Sequence, residues 1–306
     1  MRIFRLFIFS FLTLTISCSE DEIPADIEVI NQATIVVDGK ESVIINDQIT
    51  GNTNCDKIFL RINRFLDDEN NGYDLSFDIS KQGDLMDAEY LERTGLSGRI
   101  PLYLSHSFDP ISTMHISNFS YDESTNDIYF EFSGTVFNEI DNTIKRSITG
   151  TVDIKNHKDI ECSIGLLNKM EYKSNELTFK DRYLQTRRFQ NGAQKHIFYS
   201  NNGFRLEFDL NQQIGTLELG TYPIVENNFP AFVNLFEYVG PLIAIQSPTI
   251  VNADWKKYQT RGTFTITDKI DIDGGVKVKG YLNLDVIENY EVIYTIDGME
   301  FITFGN

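Results

Sequence analysis

Apolar and polar residues alternate along most of this chain. Leu75, Phe77 and Ile79 stand at every second position of one run, Leu206, Phe208 and Leu210 of another, and Val276/Val278 and Leu282/Leu284 of a third. A period of two in segments rich in β-branched and aromatic residues predicts strands with one buried face. Clusters of Asp, Asn and Gly separate the runs: Asp38-Gly39, Asp67-Asp68-Glu69-Asn70-Asn71-Gly72, Asn201-Asn202-Gly203 and Asp271-Ile272-Asp273-Gly274-Gly275. Such residues tolerate the positive φ that tight hairpin turns demand, so each predicts a hairpin. Two stretches carry helix signals instead. Residues 84–93 have Asp84 as an N-cap and Gly95 beyond the end, and 230–239 begin at Pro230 and stop at Gly240; both predict a short helix.

The pattern recurs with a period near 130 residues. Thr34-Ile35-Val36-Val37-Asp38-Gly39 aligns with Ile164-Gly165-Leu166-Leu167-Asn168-Lys169 and with Ile293-Tyr294-Thr295-Ile296-Asp297-Gly298. Residues 73–79 match 204–210, Gly134-Thr135-Val136-Phe137 matches Gly262-Thr263-Phe264-Thr265, and 148–154 match 278–284. Ordered blocks at a near-constant offset mark a duplicated unit. The expected architecture is therefore all-β: two tandem β-sandwiches or small barrels of about 130 residues each. The first would cover residues 34–163, and the second 164–306, ending in a hairpin at Asp297-Gly298.

The N-terminus follows a different logic. Arg2 and Arg5 precede an apolar run from Leu6 to Ile16, eleven residues long, whereas a membrane-spanning helix needs about twenty. A basic start, a short apolar run and a small residue before a cleavage point make a secretory signal over 1–17. Thr15-Ile16-Ser17-Cys18 resembles the lipobox of bacterial lipoproteins, with Thr15 where Leu is usual; the resemblance implies a lipid on Cys18. Ser19-Glu20-Asp21-Glu22 resembles the acidic signal that sends Bacteroidota lipoproteins to the outer face of the outer membrane. Residues 18–33 read as a lipid-anchored tether. The Gly-Thr-Phe-Thr-Ile of 262–266, followed by Val-Lys-Val-Lys-Gly-Tyr-Leu-Asn-Leu at 276–284, is similar to a hairpin of uncharacterised Bacteroidota surface lipoproteins. That resemblance supports address and fold and implies no chemistry.

Charge and chemistry narrow the function. The formal net charge is −18, and loss of 1–17 with its two arginines makes it −20, a surface that repels phosphate backbones and makes nucleic acid an unsuitable partner. With Cys18 lipidated, Cys55 and Cys162 remain, either as a disulfide in an oxidising compartment or as two buried thiols. The histidines are His106, His115, His157 and His196; no pair has the spacing of a helical metal site, and no nucleophile elbow or phosphate loop occurs. His106 and His115 are compatible with a metal pair, or with plain surface or packing positions. Asp67-x-Glu69-x-Asn71-Gly72, with Asp78 in twelfth place, echoes a calcium loop but reads more simply as a turn, as does Asp271-x-Asp273-Gly274. No catalytic residue, metal ligand or cofactor site is assigned. One dense aromatic stretch stands out: Phe229, Phe232, Phe236 and Tyr238, followed by Trp255 and Tyr258. Exposed together these would form a platform for a sugar ring or a protein partner; otherwise they are core. The expected function is a non-catalytic, lipid-anchored surface module that contacts the membrane through its lipid and binds a glycan or an outer-membrane protein. The alternative is an atypical hydrolase using paired carboxylates on a β-scaffold.

Overall fold

The structure is a computed structural model. It describes residues 30–305 apart from 67–70, 94–100, 106–112, 201, 225–230 and 241–253. Among the described residues the regular elements are strands, with two 3-10 turns at Asn46–Gln48 and Ile214–Thr216. The first unit contains β1 Gln32–Val37, β2 Lys40–Ile45, β3 Ile49–Asn54, β4 Lys57–Phe65, β5 Gly72–Ser80, β6 Leu85–Arg93, β7 Leu102–Leu104, β8 Met114–Asp122, β9 Asp127–Asn138, β10 Lys145–Ile154 and β11 Asp159–Ile160. The second contains β12 Lys169–Lys173, β13 Thr178–Arg188, β14 Gln194–Ser200, β15 Phe204–Leu210, β16 Gly220–Ile224, β17 Ala231–Tyr238, β18 Trp255–Ile272, β19 Gly275–Glu288 and β20 Glu291–Phe304.

The fold is all-β, as the alternation predicts. The first unit is an 11-stranded sheet in the order β11-β3-β4-β5-β6-β7-β9-β10-β1-β2, with β8 paired to β9. It curls around a core that includes Ile35, Leu60, Leu75, Phe77, Phe130 and Phe132. The second unit closes into a barrel, β12-β13-β14-β15-β17-β16-β18-β19-β20, sealed by β12 against β20. Its interior holds Phe198, Leu206, Phe208, Phe264, Leu282 and Phe301. The matched segments 73–79 and 204–210 are β5 and β15, and each turns its alternate apolar residues into its own core.

Glycine sets how tightly the walls pack. Gly150 lies across from Ile35 on one side and Phe132 on the other, and Gly280 across from Phe301 and Ile266. A Cβ at Gly150 would fall 2.1 Å from the Thr34 carbonyl oxygen and 2.7 Å from the Phe132 ring; at Gly280 it would fall 2.0 Å from the Thr265 oxygen and 2.6 Å from the Phe301 ring. An aromatic ring occupies the space where either side chain would be.

Four expectations change. The stretches expected as helices at 84–93 and 230–239 instead contain the strands β6, Leu85–Arg93, and β17, Ala231–Tyr238; Pro230 lies outside the described residues. Good helix formers such as Leu85, Met86, Ala88 and Glu89 are overridden because Met86, Ala88 and Tyr90 alternate inward, and β6 finds partners on both sides in β5 and β7. Asp84 accepts from the Ser80 hydroxyl in the hairpin before β6 instead of capping a helix. Asp297-Gly298 makes no turn: of the pair only Gly298 has positive φ, at 73°, and it sits in a bulge within β20, its amide donating to Asn283. The terminal hairpin turns instead at Asn289 and Tyr290, with φ of 50° and 71°. Asp38 and Gly39, at 47° and 80°, do form the tight turn expected of them. Finally, Gly134 and Gly262 occupy different registers, Gly134 across from Ile148 but Gly262 across from Leu284.

The units touch through β13. Lys180 reaches the Asp84 carboxylate and the Gln82 amide oxygen, each at 3.0 Å, and Arg182 pairs with Asp87 at 2.5 Å.

Candidate functional site

The outer face of β13, β14, β15, β17 and β18 carries a sizeable cavity. It arises from register. Phe198, Leu206, Phe208, Val233 and Leu235 point into the barrel, so their neighbours in sequence point out. Hydrogen-bonded pairing then lines these up in rows. Arg187, Lys195, Asp209 and Phe232 stand side by side across four strands, and next to them Gln185, Ile197, Glu207 and Asn234. A third row is Tyr183, Tyr199, Arg205, Phe236 and Lys257, and beyond it Tyr238 lies opposite Trp255. All of these but Tyr183, Gln185 and Tyr238 line a concave cradle of about 770 Å³, within the range of small-ligand sites.

A fixed ionic network forms its floor. Lys195 donates to Asp209 at 2.9 Å and to Glu207 at 3.0 Å, and Arg205 donates to the other oxygen of Glu207 at 2.9 Å. Burial opposes the Lys195 charge, but the bonds to Asp209 and Glu207 outweigh it and hold the ammonium above its ordinary range. The Asn234 amide reaches Asp209 at 3.4 Å. The Arg205 guanidinium is buried between aromatic rings, 4.1 Å from the Phe236 centroid and 4.5 Å from that of Trp255, a geometry that favours a cation. Its Nε has no hydrogen-bond partner. Trp255 is wedged against Tyr238 and Tyr199, at 5.3 and 6.1 Å between centroids.

The six aromatics singled out in the sequence separate. Phe232 and Phe236 are half-buried and line the cradle, and Trp255 lines it at 5% exposure. Tyr238 supports Trp255 from the side. Tyr258 belongs to the barrel core, its hydroxyl donating to Glu237, and so is no part of an exterior platform: one register step separates it from the outward Lys257. Phe229 lies outside the described residues. Sequence reading missed Arg187, Lys195, Arg205, Glu207, Asp209 and Lys257. Their signal was present as the polar half of the alternation, Arg205, Glu207 and Asp209 at every second position, but that half reads as ordinary solvent-facing residues until the strands are ordered.

Elsewhere, Cys55 and Cys162 are joined by a disulfide, with Cα atoms 4.5 Å apart. β11 makes this possible by adding in parallel to β3, Asp159 beside Thr53, which brings Cys162 to the turn where Cys55 adopts φ of 51°. A smaller cavity of about 310 Å³ adjoins that turn, between Leu167, Asn168 and Asp181; burial pushes the Asp181 carboxyl up, and it accepts from the Met170 amide. His115 is exposed on β8, His157 and His196 are buried, and His106, the other member of the pair considered with His115, lies outside the described residues. No cluster of three metal-ligating side chains occurs among the described residues. Asp67 and Glu69 lie outside the described residues, and Asp78 faces Asp87 across the β5–β6 pair. Asp273-Gly274 is a two-residue hairpin turn between β18 and β19. Cys18 and the tether through residue 29 lie outside the described residues, and no described helix is long and apolar enough to cross a membrane. No family model, curated protein or solved structure matches this chain.

Proposed function

We propose that this chain is a lipid-anchored surface protein whose second unit binds carbohydrate in the exterior cradle, without catalysis. The observation that carries the reading is the combination in one cavity of half-buried Phe232 and Phe236 with a preset array of carboxylates, amide and cations. Apolar ring faces stack on the first, and hydroxyls bond to the second. The test is a glycan screen of residues 19–306 followed by the double variant Phe232→Ala and Phe236→Ala. Binding should weaken at least tenfold with the unfolding midpoint little changed; undiminished binding would remove the site. A protein partner captured on the same surface, with no glycan bound, would replace the carbohydrate reading.

The anchor rests on Ser17-Cys18 after the apolar run and on the acidic residues that follow. Cys18→Ala should move the protein from the membrane fraction to the soluble one, and continued membrane retention would count against lipidation. The same sequence signals are the basis for placing it on the outer membrane, facing outward.

A hydrolytic reading has one observation in its favour: Glu207 and Asp209 lie on one face. Both accept from the single Lys195 ammonium, however, whereas a glycosidase asks one of its two carboxyls for a proton. Turnover of a glycan abolished by Glu207→Gln would overturn the non-catalytic reading.

The two units also support descent from one duplicated ancestor. Around β5 and β15 the order runs β3-β4-β5-β6 and β13-β14-β15-β17, and β9-β10-β1 has its counterpart in β18-β19-β20. The strand that begins the first unit would then end the second.

A further inference from the structure

We propose that the cradle selects carbohydrate chains bearing negative groups, uronate carboxylates or sulfate esters; this rests on the carbohydrate reading above. The chain carries a net charge of −18, yet the cradle is lined by four cations, Arg187, Lys195, Arg205 and Lys257, against two carboxylates, Glu207 and Asp209. Local charge is inverted relative to the molecule.

The cations divide by role. Lys195 and Arg205 are committed to Glu207 and Asp209 and hold the floor rigid. Arg187 and Lys257 form no ion pair among the described residues and are exposed. They stand on β13 and β18, at opposite edges of the cradle with β14, β15 and β17 between them, a backbone separation of about 19 Å along the sheet. Positive groups at both edges suit an extended chain with charges along it. The floor adds recognition of sugar to that charge: its carboxylates and the Asn234 amide can hydrogen-bond hydroxyls, and the half-buried Phe232 offers a ring-sized apolar contact between the two positive edges.

Trp255 is the only tryptophan in the chain and lines the cradle, so its emission reads occupancy directly. Residues 19–306 would be titrated at low salt with polygalacturonate, dextran sulfate, neutral dextran, polyglutamate and a single-stranded oligodeoxynucleotide. The expected result is binding of polygalacturonate or dextran sulfate at least tenfold tighter than dextran, weakening with added salt. Which of the two is preferred identifies carboxylate or sulfate. Arg187→Glu with Lys257→Glu should abolish the preference while leaving the unfolding midpoint in place, since both side chains are exposed. Equal binding of neutral dextran, unaffected by the double variant, would overturn the charge selection and leave the carbohydrate reading intact. Equal binding of polyglutamate or the oligonucleotide would show a site for anions rather than for sugars. Failure of every saccharide to bind would overturn both.

Discussion

His196 illustrates what one residue contributes inside a barrel. It sits on β14 among apolar neighbours at 1% exposure, its Nδ1 bonded to the Thr303 hydroxyl at 2.9 Å and the Thr186 hydroxyl at 3.3 Å. Burial, assisted by the Arg188 guanidinium, pushes its pKa down to about 3. The unfolded chain takes up a proton near pH 6.5 that the folded chain refuses. Stability from this group is therefore complete above about pH 6.5 and is lost as pH falls toward 3, by at most about 1.4 kcal/mol per pH unit. His157, also pushed down by burial, acts in the same direction. Urea unfolding between pH 7 and pH 4 should show a shallower acid loss for His196→Gln than for wild type; an unchanged slope would show that His196 titrates normally. The sequence supplied four histidines but no hint of which would be sealed from water, because burial depends on strands far apart in the chain.

At the scale of the element, alternation was the dependable signal. β5, β15 and β19 were legible because their apolar residues recur at every second position and their turns carry Asp, Asn or Gly. β6 and β17 carry the local propensity and capping signals of helices over only a short alternation, and pairing with neighbouring strands decides the outcome. Gly280 shows the reverse case, a residue whose local effect on a strand is unfavourable but whose position is dictated by packing. Gly280→Ala would drive a methyl into the Thr265 carbonyl and the Phe301 ring, at a cost of about 1–3 kcal/mol or more. Urea unfolding followed by Trp255 fluorescence reports the second unit and should show the midpoint falling. No loss would mean that β18 and β20 yield more readily than their register implies.

For the whole molecule, the disulfide ties the end of the first unit to the turn after β3 across a separation of 107 residues. In the chain-entropy account a loop of that size is worth about 4–5 kcal/mol. Cys162→Ser should accordingly lower the unfolding midpoint followed by circular dichroism, and a wild-type midpoint would show that β11 is held by its pairing alone. The first unit stands to lose most, since its sheet is not closed as the barrel is by β12 and β20.

The sequence by itself determined the all-β class, several hairpin turns, and the pairing open to Cys55 and Cys162 once Cys18 was set aside. These follow from local rules: side chains alternate along a strand, and only some residues tolerate positive φ. It also supplied the aromatic half of the cradle. Tertiary structure decided the rest. Closing a sheet into a barrel fixes which strands are neighbours, and only that order sets Arg205 beside Phe236 and Phe236 beside Lys257. The polar half of each strand carries the chemistry of the cradle. In a single chain that half cannot be told from a wetted surface, because its neighbours belong to strands tens of residues away.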